Sequence, residues 1–177
     1  MKHLFSLFII VTFFTSAALA SQPAGDDIQF LKDGVSFSLP ADWEIISDEA
    51  VGDDGHYFSA EHNTEDATGV ITVTWLNVRV EPDVVIDSHK KNMRAAQIYQ
   101  QPGIEFTAIE PVTFAGRKAY RSKYATLVNG SKMEGEIICL NCEGKTISFF
   151  MQSGLNDQKA TQAAFLQMEQ TFGCREE

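Results

Sequence analysis

Cys139 and Cys142 stand as Cys-x-x-Cys inside EIICLNCEGKTISFF, residues 136–150, and the third cysteine is Cys174. Such a pair can be a redox dithiol, half of a metal site, or part of a staple. A thioredoxin-type dithiol sits at a helix N-terminus, where the dipole lowers the thiol pKa. Here the pair ends a β-branched run and enters the turn-forming Asn141–Gly144, so that support is missing. A structural zinc site needs four ligands, and Cys174 is the one thiol left. A staple to Cys174 remains, from Cys142 or, alternatively, from Cys139.

Beyond residue 20 the histidines are His56, His62 and His89. The chain has no Gly-x-Ser-x-Gly, no His-Glu-x-x-His and no phosphate-cradling glycine loop. The run DDGHYFSAEHNTED, residues 53–66, mixes imidazole with carboxylates, a donor set that suits a divalent ion. His56 and His62 lie about 20 Å apart along a strand at roughly 3.3 Å per residue. The candidate metal ligands are therefore His62 with Glu65 or Asp66. Arg117, Arg121 and Lys123 share one strand face by parity. They are candidates for an anionic ligand or partner, or for pairing with the protein's own carboxylates. His89 reads as a packing histidine on a helix, with Lys90, Lys91 and Arg94 toward solvent.

The ends and the composition bound where such groups operate. Residues 1–20, MKHLFSLFIIVTFFTSAALA, have the polar start, apolar run and small-residue end of a signal peptide, with cleavage expected after Ala20. The run is shorter than the roughly 20 apolar residues that span a bilayer. Residues 21–27 read as a flexible leader, and 28–177 as a single domain. No membrane span is expected in the mature chain, which belongs in the periplasm or outside the cell. The full chain carries 14 Lys+Arg against 24 Asp+Glu, a net charge of −10. That balance disfavours nucleic acid as a partner.

Alternation in 28–39, about an Asp33-Gly34 turn, predicts a hairpin, with Trp43–Ile46 resuming the strand. His56–Glu61 and Gly69–Val78 read as strands. Pro82 opens a helix over about 82–98, with Val85, His89, Met93, Ala96 and Tyr99 on one face. Strands follow over 104–114, 117–128, 132–140 and 145–152, turned at Ala115-Gly116, Asn129-Gly130 and Asn141–Gly144. A last helix over about 157–172 buries Ala164, Phe165, Met168 and Phe172. The class is α+β, an antiparallel β-sheet flanked by helices. Strand 145–152 runs about 26 Å away from the Asn141–Gly144 turn and helix 157–172 returns about 24 Å. Cys174 is thereby brought beside that turn, to close a loop of roughly 30 residues worth about 3–4 kcal/mol.

The stretch Asp33-Gly34-Val35-Ser36-Phe37-Ser38-Leu39-Pro40-Ala41-Asp42-Trp43 resembles the opening of PsbP-like domains, where a glycine-initiated strand runs into Pro-x-x-Trp. The element order is similar to that family and to its DcrB-like and LpqN-like relatives. The resemblance implies an α-β-α sandwich, with the proline ending a strand and the tryptophan at the core edge. It implies an accessory or binding domain rather than an enzyme, and no catalytic residues or cofactors. The expected function is an exported, non-catalytic protein acting through an envelope or secreted protein partner, as a monomer or weak dimer. The alternatives are a small-ligand or divalent-metal-binding periplasmic protein, and an immunity protein against a secreted toxin.

Overall fold

The computed structural model describes residues 25–52, 55–65, 67–99 and 103–175. The signal peptide and most of the leader expected at 1–27 lie outside the described residues. The first hairpin is β1 (Ile28–Lys32) with β2 (Val35–Leu39), followed by β3 (Trp43–Ala50), β4 (Gly55–His62) and β5 (Val70–Leu76). Helix α1 (Pro82–Ala95) leads through a 3-10 turn to β6 (Ile104–Phe106) and β7 (Glu110–Phe114). The meander β8 (Arg117–Val128), β9 (Ser131–Cys142) and β10 (Lys145–Gly154) comes next, then α2 (Gln158–Thr171) and β11 (Gly173–Cys174). The large sheet is antiparallel, in the order β3-β4-β5-β10-β9-β8-β6 with β7 also on β8, and β1-β2-β11 forms a small second sheet.

The turns explain the regular register. At Asn129 and Gly130 φ is 50° and 82°. A two-residue turn of this hand matches the twist of the flanking strands, and Asn-Gly tolerates it at low cost.

Alternation along the strands gives the large sheet two different faces. On one, Phe58, Ile71, Val73, Trp75, Leu140, Ile147 and Phe149 are fully buried. They pack under α2 and the β1–β2 hairpin in a single apolar cluster. The other face carries a smaller cluster, with Ile86 and Met93 of α1 against Tyr124, Ile137 and Cys139. Helices on both faces of a sheet make the sandwich that the resemblance to PsbP-like domains implies.

Two elements differ from expectation. The strand expected over 104–114 is broken into β6 and β7. From Phe106↔Tyr124 to Glu110↔Arg121, four steps on the outer strand answer three on β8. The extra residue makes a bulge, held by Thr107. Its Oγ1 accepts the Lys123 amide at 2.9 Å, and its carbonyl accepts the Ser122 hydroxyl at 2.8 Å. Helix α1 is also shorter and rotated: Ala96 is extended, and the buried positions are Pro82, Ile86, Lys90 and Met93. Lys90 is therefore not on the solvent side. Its stem lies in the interface and its Nζ donates to the Thr107 carbonyl at 3.3 Å.

Edge strand β3 exposes Ile45 and Ile46. A bulge between Ile45 and Ser47, with Glu44, Asp48 and Glu49 on the same strand, blunts it against edge-to-edge pairing.

A disulfide joins Cys142 to Cys174, with Cα atoms 6.3 Å apart. Cys139 and Cys142 are three residues apart on one strand, so their side chains leave opposite faces. Cys142 faces α2 and the small sheet. Cys139 faces α1 and is free and buried, and burial pushes its thiol up to about 12. β11 pairs Cys174 with Val35 of β2, so the disulfide and a strand pair hold the end of the described chain together.

Candidate functional site

The face of β9 that points to α2 reads Glu134, Glu136, Ile138, Leu140, Cys142. Its apolar end is core. Its acidic end lies beside the first turns of α2 and leaves a groove of about 600 Å³. Arg121 and Lys123 of β8, Glu134 and Glu136 of β9, and Gln158 and Gln162 of α2 supply its polar walls, over Met151 of β10. A second hollow of about 210 Å³ shares Arg121, Glu136, Met151 and Gln162 with it. It extends the groove along α2 past Phe165 and Leu166 to Glu169.

Arg121 donates to Glu110 Oε1 from Nη2 at 2.7 Å and from Nε at 3.1 Å. Its Nη1 is 3.7 Å from Glu136 Oε2. Glu134 pairs with Lys132 at 2.6 Å and accepts Gln158 Nε2 at 3.1 Å. The bond from Lys132 holds the Glu134 carboxyl below its ordinary range. At Glu136 burial pushes the carboxyl upward, against the pull of Arg121 and Lys123. Lys123 is exposed and forms no ion pair among the described residues.

The three cations read as one stripe thus have three surroundings. Arg117 leaves the groove and donates to the Cys174 carbonyl at 3.3 Å. Arg121 is taken up by the protein's own carboxylates. Lys123 stands at the groove wall.

The metal candidates are placed differently from the sequence reading. His62 Nδ1 donates to Asp157 Oδ1 at 2.6 Å, and its Nε2 is 3.2 Å from Asp42 Oδ2. The ring stacks on Trp43 with centroids 5.6 Å apart. Both nitrogens face carboxylates other than Glu65, which is exposed in its loop, and Asp66 lies outside the described residues. Among the described residues no group of three His, Cys, Asp or Glu side chains is disposed to hold a metal. His56 is buried on Trp75, with Nε2 2.5 Å from Asp48 Oδ1.

His89 Nε2 and Ser148 Oγ share a hydrogen bond of 3.3 Å between α1 and the sheet. Burial pushes the imidazole below its ordinary value. The folded protein therefore resists a proton that the unfolded chain accepts near pH 6.5. The stability His89 contributes is complete above that pH and is lost as pH falls through the lower folded value. Denaturant midpoints between pH 8 and pH 5 should fall more steeply for the native protein than for His89→Gln. Parallel curves would remove His89 from the acid response.

Sequence reasoning missed Glu134, Glu136, Gln158 and Gln162. A signal for the first two was present: two glutamates share parity with Ile138 and Leu140 on a strand whose face becomes core.

The large antiparallel sheet, with α1 on one face and α2 plus a small sheet on the other, defines a PsbP-like fold. The solution structure of cyanobacterial PsbP from Synechocystis is similar over 85% of this chain and 92% of that one, at 16% identity and a TM-score of 0.57. LpqN of Mycobacterium tuberculosis, involved in cell envelope biogenesis, is similar over 84% of this chain and 90% of its own, at 12% identity and a TM-score of 0.51. A Bacteroides thetaiotaomicron protein is matched over 84% of this chain and 48% of its own, at 14% identity and a TM-score of 0.55. The chain matches no family model and no curated protein. These likenesses are likenesses of fold. Among the described residues no helix is long and apolar enough to cross a membrane.

Proposed function

We propose that the chain is an exported, non-catalytic accessory protein that binds a protein partner in the cell envelope. The observation that carries this reading is the groove between α2 and β8–β9. It is open, has an apolar floor and is walled by charged and amide side chains, the layout of a recognition surface. The signal-type first 20 residues and a disulfide both suit an oxidising compartment. The fold neighbour LpqN, being involved in cell envelope biogenesis, supports reading the same setting here.

A photo-crosslinking residue at Gln162, on the groove wall, tests the proposal against one at Lys91, exposed on α1. One discrete envelope protein should crosslink from position 162 and not from 91. Equal background labelling from both positions would count against it, as would turnover of a substrate abolished by one side-chain change.

A further inference from the structure

We infer that the groove takes an extended peptide segment of the partner and seats a lysine or arginine side chain over Glu136, an inference that rests on the binding role proposed above. Length is the first argument. The α2 wall runs from Gln158 to Glu169. That is about 16 Å at 1.5 Å per residue, the span of about five extended residues. A segment of that length lies along both hollows at once.

Charge is the second. Four carboxylates, Glu105, Glu134, Glu136 and Glu169, line the joined hollows against two cations, Arg121 and Lys123. Arg121 is already held by Glu110 and Glu134 by Lys132, which leaves Glu105, Glu136 and Glu169 against Lys123. The surface therefore favours a cation over an anion, in a chain whose net charge is −10.

The third argument is Glu136 itself. Its side chain is only 14% exposed, and its one ion contact is the 3.7 Å approach of Arg121. It accepts no hydrogen bond among the described residues. No buried side-chain oxygen among the described residues lacks a partner, so the Glu136 oxygens open into the groove, where a ligand ammonium or guanidinium would take the place of water. Burial makes the charged form costly here. Apolar surface flanks it: Met151 forms the floor between the two hollows, and Leu166 on the α2 wall is 52% exposed. Lysine side chains on one face of an extended segment would reach Glu136 and lay their methylene stems over Met151, which is its cross-strand neighbour.

The probe is a fluorescein-labelled pentapeptide Leu-Lys-Leu-Lys-Leu, read by anisotropy on the mature chain, with Leu-Glu-Leu-Glu-Leu as its acidic counterpart. The lysine peptide should saturate and the glutamate peptide should not. Glu136→Gln should weaken binding about tenfold, the loss of one charge-assisted hydrogen bond. Glu143→Gln removes the same charge at the exposed β9–β10 turn and should stay within about twofold, being separated and screened. Amide shifts on binding should centre on Gly135, Ser153 and Gln162. Glu136→Gln relieves a buried charge, so its melting temperature should not fall.

Three results overturn the inference: no saturation by the lysine peptide, equal weakening in both variants, or spermidine competing as well as the peptide. If any of them occurs while the partner still crosslinks from Gln162, the groove chemistry is wrong and the binding role stands. Loss of both results ends both.

Discussion

Removal of the disulfide, as Cys142→Ala with Cys174→Ala, is expected to lower the thermal midpoint by roughly 10 °C. The crosslink spans a sequence separation of 32. Closing a loop of that size in the unfolded chain corresponds to about 3–4 kcal/mol. In a domain of this length each kcal/mol shifts the midpoint by about 2–4 °C. The two sulfurs also fill space where α2, the β9–β10 turn and the small sheet meet, and both residues are buried. Changing both cysteines together avoids leaving a lone thiol. Refolding the native protein in reductant should reproduce most of the loss. A drop of less than about 3 °C in either experiment would show that α2 is held by packing alone.

Asp157→Ala is expected to cost roughly 3–5 kcal/mol, because it strands several buried donors at once. Asp157 is 6% exposed and directly precedes α2. Its Oδ2 accepts the Gly69 amide at 2.6 Å and the Thr68 amide at 3.1 Å, while Oδ1 accepts His62 Nδ1. The carboxylate thus fastens the loop after β4 to the start of the last helix. Gly69 fits this arrangement because a Cβ there would come within 2.6 Å of Asp157 Oδ2. Asp157→Asn keeps one acceptor oxygen and should lose about half as much. Hydrogen exchange should rise at Thr68 and Gly69 in both variants, before any change at β9 or β10. A loss below about 1 kcal/mol for the alanine variant would mean that water replaces the carboxylate.

The parts legible in the sequence were those set by local pattern. Alternation and Asn-Gly or Asp-Gly turns marked the hairpins, since strand period and turn hand are properties of a few neighbouring residues. The approach of Cys174 to the Asn141–Gly144 turn followed from strand and helix rise alone. The choice between Cys139 and Cys142 needed one further step: which face of the sheet α2 covers. Long-range pairing was not legible. His62 binds Asp42 and Asp157, 20 and 95 positions away, where the sequence suggested Glu65 or Asp66 close by. Lys90 looked like a surface lysine because its charge is obvious and its stem is not; only the bulge at Thr107 presents the carbonyl that receives it. The groove was hidden for the same reason. It is made where α2 crosses the end of a strand face that changes from leucine to glutamate, and neither element announces the other.

The strand pair between β2 and β11 also sets an order of assembly. Val35 lies near one end of the described chain and Cys174 near the other, yet they are neighbours in the small sheet. Contacts so far apart in sequence form late, because the intervening chain must first be ordered. A polypeptide emerging N-terminus first cannot finish its first hairpin's sheet until Gly173 and Cys174 arrive. A chain cut short before Gly173 loses β11 and the disulfide together, and leaves β2 as an open edge of the small sheet.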